Sequence, residues 1–361
     1  MSAPMIDWIV AEWVAERVAG TGGYREPVQG RPAKAQVAGI DLGALADDAQ
    51  RRVIAYTGLT PSAPIPVPEG VSRQEWVASN IASTRAMMDP LLENVTGKLG
   101  SAKGATRLWL GAATSTEIGL VIGYLAQRVL GQYELILLDE HADGHEPRLL
   151  FVLPNLDEAV ERFDANPLEF VTWVTLHEVT HAVQFGGVPW LRDYLATLIR
   201  ELMASIEQRM DMRRNLRLPR REDLTRIGRA ALHADLVGML TNETERTAID
   251  RAQAVMAVVE GHAEHVMDVV APELLPSLPQ LRAALDERRK NQRGLAKLFA
   301  RLLGFEMKLR QYSQGKAFCD ALVQASGPAV LKHLFSSPQA LPTLAELEDP
   351  ARWLKRNPRD S

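Results

Sequence analysis

The stretch WVTLHEVTHAVQFG, residues 173–186, decides how the rest of the chain is read. It holds two histidines and a glutamate, His177, Glu178 and His181, inside an apolar run. The helix signals around it are complete. Asn166 is a good N-cap, Pro167 suits the first helical position, and Glu169 stands three residues after the cap. Gly186 and Gly187 supply the stop. Phe170, Val171, Val174, Leu176 and Val183 make the helix strongly apolar, so it is expected to be buried. A buried helix must satisfy its polar side chains, and a metal ion is one way to do so.

The spacing suits that chemistry. His177 and His181 are four residues apart and lie on one face, a turn from each other. Glu178 is about 100° round the helix from His177. It would flank an ion without binding it, where it can hold a water and take its proton. A bare H-E-x-x-H arises by accident in about one chain in a hundred of this length. A third ligand is therefore needed, since catalytic zinc usually takes three protein ligands and water.

The stretch VVEGHAEHVMDVV, residues 258–270, offers it. On a largely apolar helix it carries Glu260, His262, Glu264, His265 and Asp268. Glu260, His262 and Glu264 are the candidate ligands. The alternative is a solvated face, with His262 and His265 at the surface and Glu264 and Asp268 an exposed pair. Glu260 and Glu264 share a face, as do Glu264 and Asp268.

Composition bounds the rest. The chain has 361 residues, 46% of them hydrophobic and 24% charged, with a net charge of −4. That is ordinary for a soluble globular protein and gives no reason to expect nucleic acid as a partner. One cysteine, Cys319, excludes an internal disulfide and a cysteine-based zinc site. It reads as a small buried apolar residue. No apolar run reaches the length of a membrane span. A cytoplasmic location is expected, with a peptide or small-molecule substrate.

Helical patterns dominate. The first helix is expected to dock through Ile6, Ile9, Val10, Trp13 and Val14. Further helices are expected over roughly 43–57, 72–98, 105–130, 156–163, 167–185, 189–212, 221–240, 247–270, 278–290, 293–312 and 315–325. TPSAPIPVPEG (60–70) reads as an extended connector because its prolines lack donors. YELILL (133–138) and RLLFVLP (148–154) read as strands. Leu149–Leu153 is the candidate edge strand for pairing with substrate. The fold class is thus mainly α with a small β-sheet (α+β). A helical region 1–132 and a catalytic region 133–361 are expected to form one compact unit.

EGHA (260–263) resembles the E-G-[HFW]-[AT] signature of aminopeptidase-type gluzincins. That resemblance implies Glu260 as the third ligand and Glu264 as an acid orienting a zinc histidine. The wider sequence resembles the actinobacterial zincin-like metallopeptidase type 2 group, one branch of which is named for an association with biosynthesis of a deazaflavin coenzyme. The resemblance is carried by Asp7-Trp8, RLLFVLPN (148–155), TLHEVTHAVQF (175–185), VEGHAEHVMD (259–268) and KLRQYSQGKAF (308–318). It implies a zincin-like metallohydrolase fold.

Tyr312 is the candidate oxyanion donor, and Arg310 a second. His141 and His145 read as part of an acidic loop, RRNLRLPRR (213–221) as a solvated loop, and His233 and His333 as structural or surface residues. The expected function is a zinc-dependent hydrolase, a peptidase, with His177, His181 and Glu260 holding Zn2+ and Glu178 as base. The alternatives are a non-catalytic binding or scaffold protein of the same fold, and a hydrolase of a non-peptide substrate.

Overall fold

The computed structural model describes residues 6–20, 37–98, 104–134, 147–215, 243–276 and 310–358. The expectations for His141, His145, His233, residues 216–221 and the helices at 221–240 and 278–290 lie outside them. So does most of the helix expected at 293–312. The described chain is mainly helical, with one small sheet.

Two compact units are present. The first comprises residues 1–192 and 263–287, and the second residues 193–262 and 288–361. The first unit is built around three strands. In chain order its elements are α1 (Trp8–Gly20), α2 (Leu42–Thr57), β1 (Pro68–Val71), α3 (Arg73–Lys98), α4 (Gly104–Ala126), β2 (Gly131–Glu134), β3 (Arg148–Val152), α5 (Leu153–Phe163) and α6 (Pro167–Gly187).

The sheet order is β1–β3–β2, with β1 parallel and β2 antiparallel to β3. Leu149, Leu150, Phe151 and Val152 are all fully buried. A strand covered on both faces needs apolar residues without alternation, and RLLFV supplies them. Leu150 and Val152 join a core with Ile6, Trp8, Trp76 and Val77. β3 is therefore the central strand, paired on both sides, and the expectation that it forms a free edge is wrong. Its parallel partner begins in the proline-rich connector, with Pro68 opposite Leu149. Proline can start such an edge strand because its missing N–H costs no ladder bond there.

The first helix docks by only part of the expected face: Ile6 is buried and Val14 lies against α4. Ile9 is 81% exposed and Trp13 61%, while Ala11, Ala15 and Ala19 are fully buried. The cause lies on α4. A Cβ placed at Gly119 would overlap the Ala11 carbonyl oxygen, and one at Gly123 would come within 2.6 Å of the Ala15 oxygen. Two glycines a turn apart let the helix backbones approach, with Val14 and Val18 of α1 also lying against them. Asp7 caps α1 by accepting from the amides of Ile9 and Val10. Trp8 Nε1 donates to Asp89 on α3, 2.8 Å away.

Asn155, fully buried, ties three segments together. Its amide donates to the carbonyls of Ala126 and Val129, and its oxygen accepts from Arg73. α6 has the expected start, since the Asn166 side chain accepts from the Glu169 amide. Its glycines serve a different end from the expected one. The helix runs through Gly187, and a Cβ at either position would crowd the connector at Leu59–Pro61. The Gly186 carbonyl accepts from the Ser62 amide.

In the second unit lie most of α7 (Pro189–Asn215) and α8 (Glu243–Val270), then α9 (Arg310–Ser326), α10 (Val330–Leu334), α11 (Leu344–Glu348) and α12 (Pro350–Arg356). The division falls inside α7 after Arg192 and inside α8 after His262. Gly261 of α8 meets Gly315 of α9 backbone to backbone. A Cβ on either would overlap main-chain atoms, in the second case the Ala257 carbonyl. Phe318, Leu322, Leu334 and Trp353 fill the core beside this crossing. Cys319 is buried there too, which pushes its thiol well above the usual range. His333 stands edge-on to Trp353. Among the described residues no helix is long and apolar enough to cross a membrane.

Candidate metal centre

His177, Glu178 and His181 sit midway along α6, whose first turn is fixed by the Asn166 cap. His177 is half-buried, and Glu178 and His181 are each 8% exposed. The two imidazoles present the same atom to one another, with Nε2 to Nε2 at 3.3 Å. Their rings are nearly perpendicular. Trp173, one turn earlier, lies almost parallel to the His177 ring.

Glu260 of α8 completes the group. One ligand atom from each of His177, His181 and Glu260 lies within 4.8 Å of the others. Among the described residues these form the one cluster of three or more such side chains able to share an ion.

The donor set fits zinc. Two bonds of about 2.0–2.1 Å at the tetrahedral angle place two nitrogens about 3.3–3.4 Å apart, the spacing of the two Nε2 atoms. Two imidazoles and one carboxylate match a donor set that holds zinc in known catalytic sites, and two of the three side chains are partly accessible to water.

Glu178 does not join this cluster. Its Oε2 accepts from the main-chain amide of Tyr133 on β2, 2.9 Å away. The antiparallel register directs the Gly131 and Tyr133 peptide groups outward from β3, because the intervening and flanking residues bond inward. β2, not β3, is thus the strand whose outer side reaches the helix. Gly131 makes room for it: a Cβ there would stand 2.7 Å from Glu178 Cγ. The Tyr133 ring stacks on Phe185. Burial pushes its phenol above the ordinary range, against the opposing charge of Arg192. Tyr133 carried no signal in the sequence beyond membership of a strand-like run, and Gly131 carried none.

Of the other candidates, His262 is fully buried with its ring edge-on to Phe335. His265 is 5% exposed, and its Nε2 lies 2.7 Å from the Tyr56 hydroxyl on α2. The solvated-face reading of these two histidines is therefore wrong. Glu264 lies on the Glu260 face of α8 by helical arithmetic. At His177 Nδ1, however, the contact is the thioether of Met267, at 3.2 Å. Tyr312 falls in the first turn of α9, and its side chain lies outside the described residues.

With this geometry the comparisons can be placed. The zincin-like metallopeptidase family matches residues 6–354. The chain belongs to that family. A solved structure from Chloroflexus aurantiacus, described as "a putative hydrolase with a novel fold", is similar over 99% of this chain and 100% of its own. Its sequence identity is 27% and its TM-score 0.70. No curated protein matches this chain. Membership of the family implies a metal, which accords with the donor set on α6 and α8.

Proposed function

We propose that this zincin-like protein is a zinc-dependent peptidase whose metal is held by His177, His181 and Glu260. The observation that carries the reading is the clustering of these three side chains, with both Nε2 atoms at tetrahedral spacing. A zinc ion bound there supplies Lewis-acid polarisation of a carbonyl and a water that ionises near neutral pH.

The chain's own groups do the rest. Glu178 stands beside the ligands on the same helix, and the Tyr133 amide fixes its carboxylate. It takes a proton at a carboxylate oxygen and returns it to the leaving nitrogen, the role of a positioned general base and acid. The Tyr133 ring, its phenol pushed up by burial, stacks on Phe185 beside this anchor. The membership of a metallopeptidase family supports a peptide over other carbonyl substrates.

The test combines metal analysis with turnover. Purified protein is expected to contain one zinc per chain and to cleave members of a quenched-fluorescence peptide library. Glu178→Gln should keep the zinc and lose turnover by at least about 100-fold. His177→Ala should lose both. Undiminished cleavage by Glu178→Gln, or full zinc content in His177→Ala, would overturn the reading.

A further inference from the structure

We propose that the thioether of Met267 is the positioning group for His177, selecting the tautomer that leaves Nε2 available to a metal. The inference rests on the reading of His177 as a ligand. Met267 Sδ lies 3.2 Å from His177 Nδ1, and Met267 is 2% exposed. It follows Glu260 by seven residues, two turns along α8, and so shares its face to within about 20°. One face of α8 therefore carries the ligand carboxylate and the group that holds a ligand histidine.

The chemistry follows from the two ring nitrogens. A neutral imidazole carries one N–H, and a metal needs the lone pair of the other nitrogen. Neutral imidazole in water favours the proton on Nε2, the wrong tautomer for this site. A thioether sulfur can accept a hydrogen bond but cannot donate one. Facing Nδ1, it is satisfied only when Nδ1 bears the proton, which leaves the Nε2 lone pair directed toward His181 and Glu260.

The choice of sulfur has a second effect. A carboxylate in this place is the usual partner of a metal-bound histidine and raises the basicity of the ring. Met267 brings no charge. It orients the ring without adding electron density, so a bound ion keeps more of its Lewis acidity. The sequence hid this, because methionine in an apolar helix reads as core, and the contact joins residues 90 positions apart.

The experiment uses the full-length chain in three forms: wild type, Met267→Leu and Met267→Gln. Leucine conserves volume and removes the acceptor, a change that cores tolerate. Glutamine restores an acceptor oxygen on a side chain of similar length. Two quantities are measured. Long-range 1H–15N spectra of the metal-free protein, with His177 assigned by loss of its signals in His177→Gln, give the tautomer. Competition against a chromophoric chelator gives the zinc dissociation constant.

Wild type is expected to show His177 protonated on Nδ1. Met267→Leu should shift that proton toward Nε2 and weaken zinc about 10-fold, the lower end of the range for such partners. Met267→Gln should restore both. The proposal is overturned if Met267→Leu keeps tautomer and affinity within two-fold. It is equally overturned if affinity falls without a tautomer change, or if glutamine fails to rescue, since either marks a packing effect. Failure of the metal reading itself would look different: zinc content would be insensitive to His177→Ala, whatever the tautomer measured on the metal-free protein.

Discussion

Two helix crossings in this protein are built from the same material and serve different ends. In the first unit, Gly119 and Gly123 of α4 admit Ala11 and Ala15 of α1. In the second, Gly315 of α9 meets Gly261 and Ala257 of α8. Both exchange side-chain volume for close backbone approach. The α1–α4 seam closes the core over one face of the sheet. The α8–α9 seam is adjacent in sequence to Glu260, so the position of the proposed ligand carboxylate depends on it. The glycine of EGHA and the glycine of KLRQYSQGKAF, both part of the family resemblance, are thus two halves of one contact. They are needed for space, where a catalytic reading of the motif would look for chemistry.

The contrast can be broken deliberately. The largest effect is expected for Gly315→Ala, whose new methyl would overlap the Ala257 carbonyl. Overpacking against backbone should cost about 3 kcal/mol or more, and zinc affinity should fall with it because α8 must shift. Urea denaturation and chelator competition on the same samples test the pairing of the two losses.

Gly131→Ala is a different case, since its new methyl would press on a side chain, Glu178, and not on a helix. Zinc affinity should be unchanged while peptide turnover drops about 100-fold, the scale of a displaced catalytic group. A variant with normal turnover would separate Gly131 from the site.

Gly123→Ala should lower stability by about 1–3 kcal/mol. Here zinc affinity per folded molecule should not change. If it did, the two seams would not be functionally distinct.

The smallest effect sharpens the second unit alone. Burial works to raise the Glu346 pKa, but hydrogen bonds from Arg356 and Thr343 overcome it and hold the carboxyl below the usual range. A lowered native pKa stabilises the fold above the ordinary carboxylate range. That contribution is lost as pH falls through the lower native value. Glu346→Gln should remove on the order of 1 kcal/mol at neutral pH and flatten this acid limb of stability.

What the sequence disclosed, and what it withheld, follows the reach of each signal. The start of α6 was legible because Asn166, Pro167 and Glu169 act within one turn. The facing of His177 and His181 was legible because a helix has a fixed period. Glu260 was reached through EGHA, and it lies close to both imidazoles. Distant partners decided the failures. Ile9 and Trp13 looked like the buried face of α1 because they are large and apolar. The alanines are buried instead, since two glycines about a hundred residues away let the α1 backbone approach at Ala11 and Ala15. β3 read as an edge because nothing local announces a parallel partner in a proline-rich connector. Met267, which reads in the sequence as an ordinary core residue, is the contact at His177 Nδ1.

The hold on Glu178 has one more implication. The donor is the peptide N–H of residue 133, not the tyrosine side chain. Mutational drift at that position can therefore alter the ring and the stacking on Phe185 while leaving this contact to Glu178 untouched. Proline is the exception, the single amino acid that lacks the hydrogen, so its arrival at 133 would remove this hold on Glu178 with the carboxylate itself still in place.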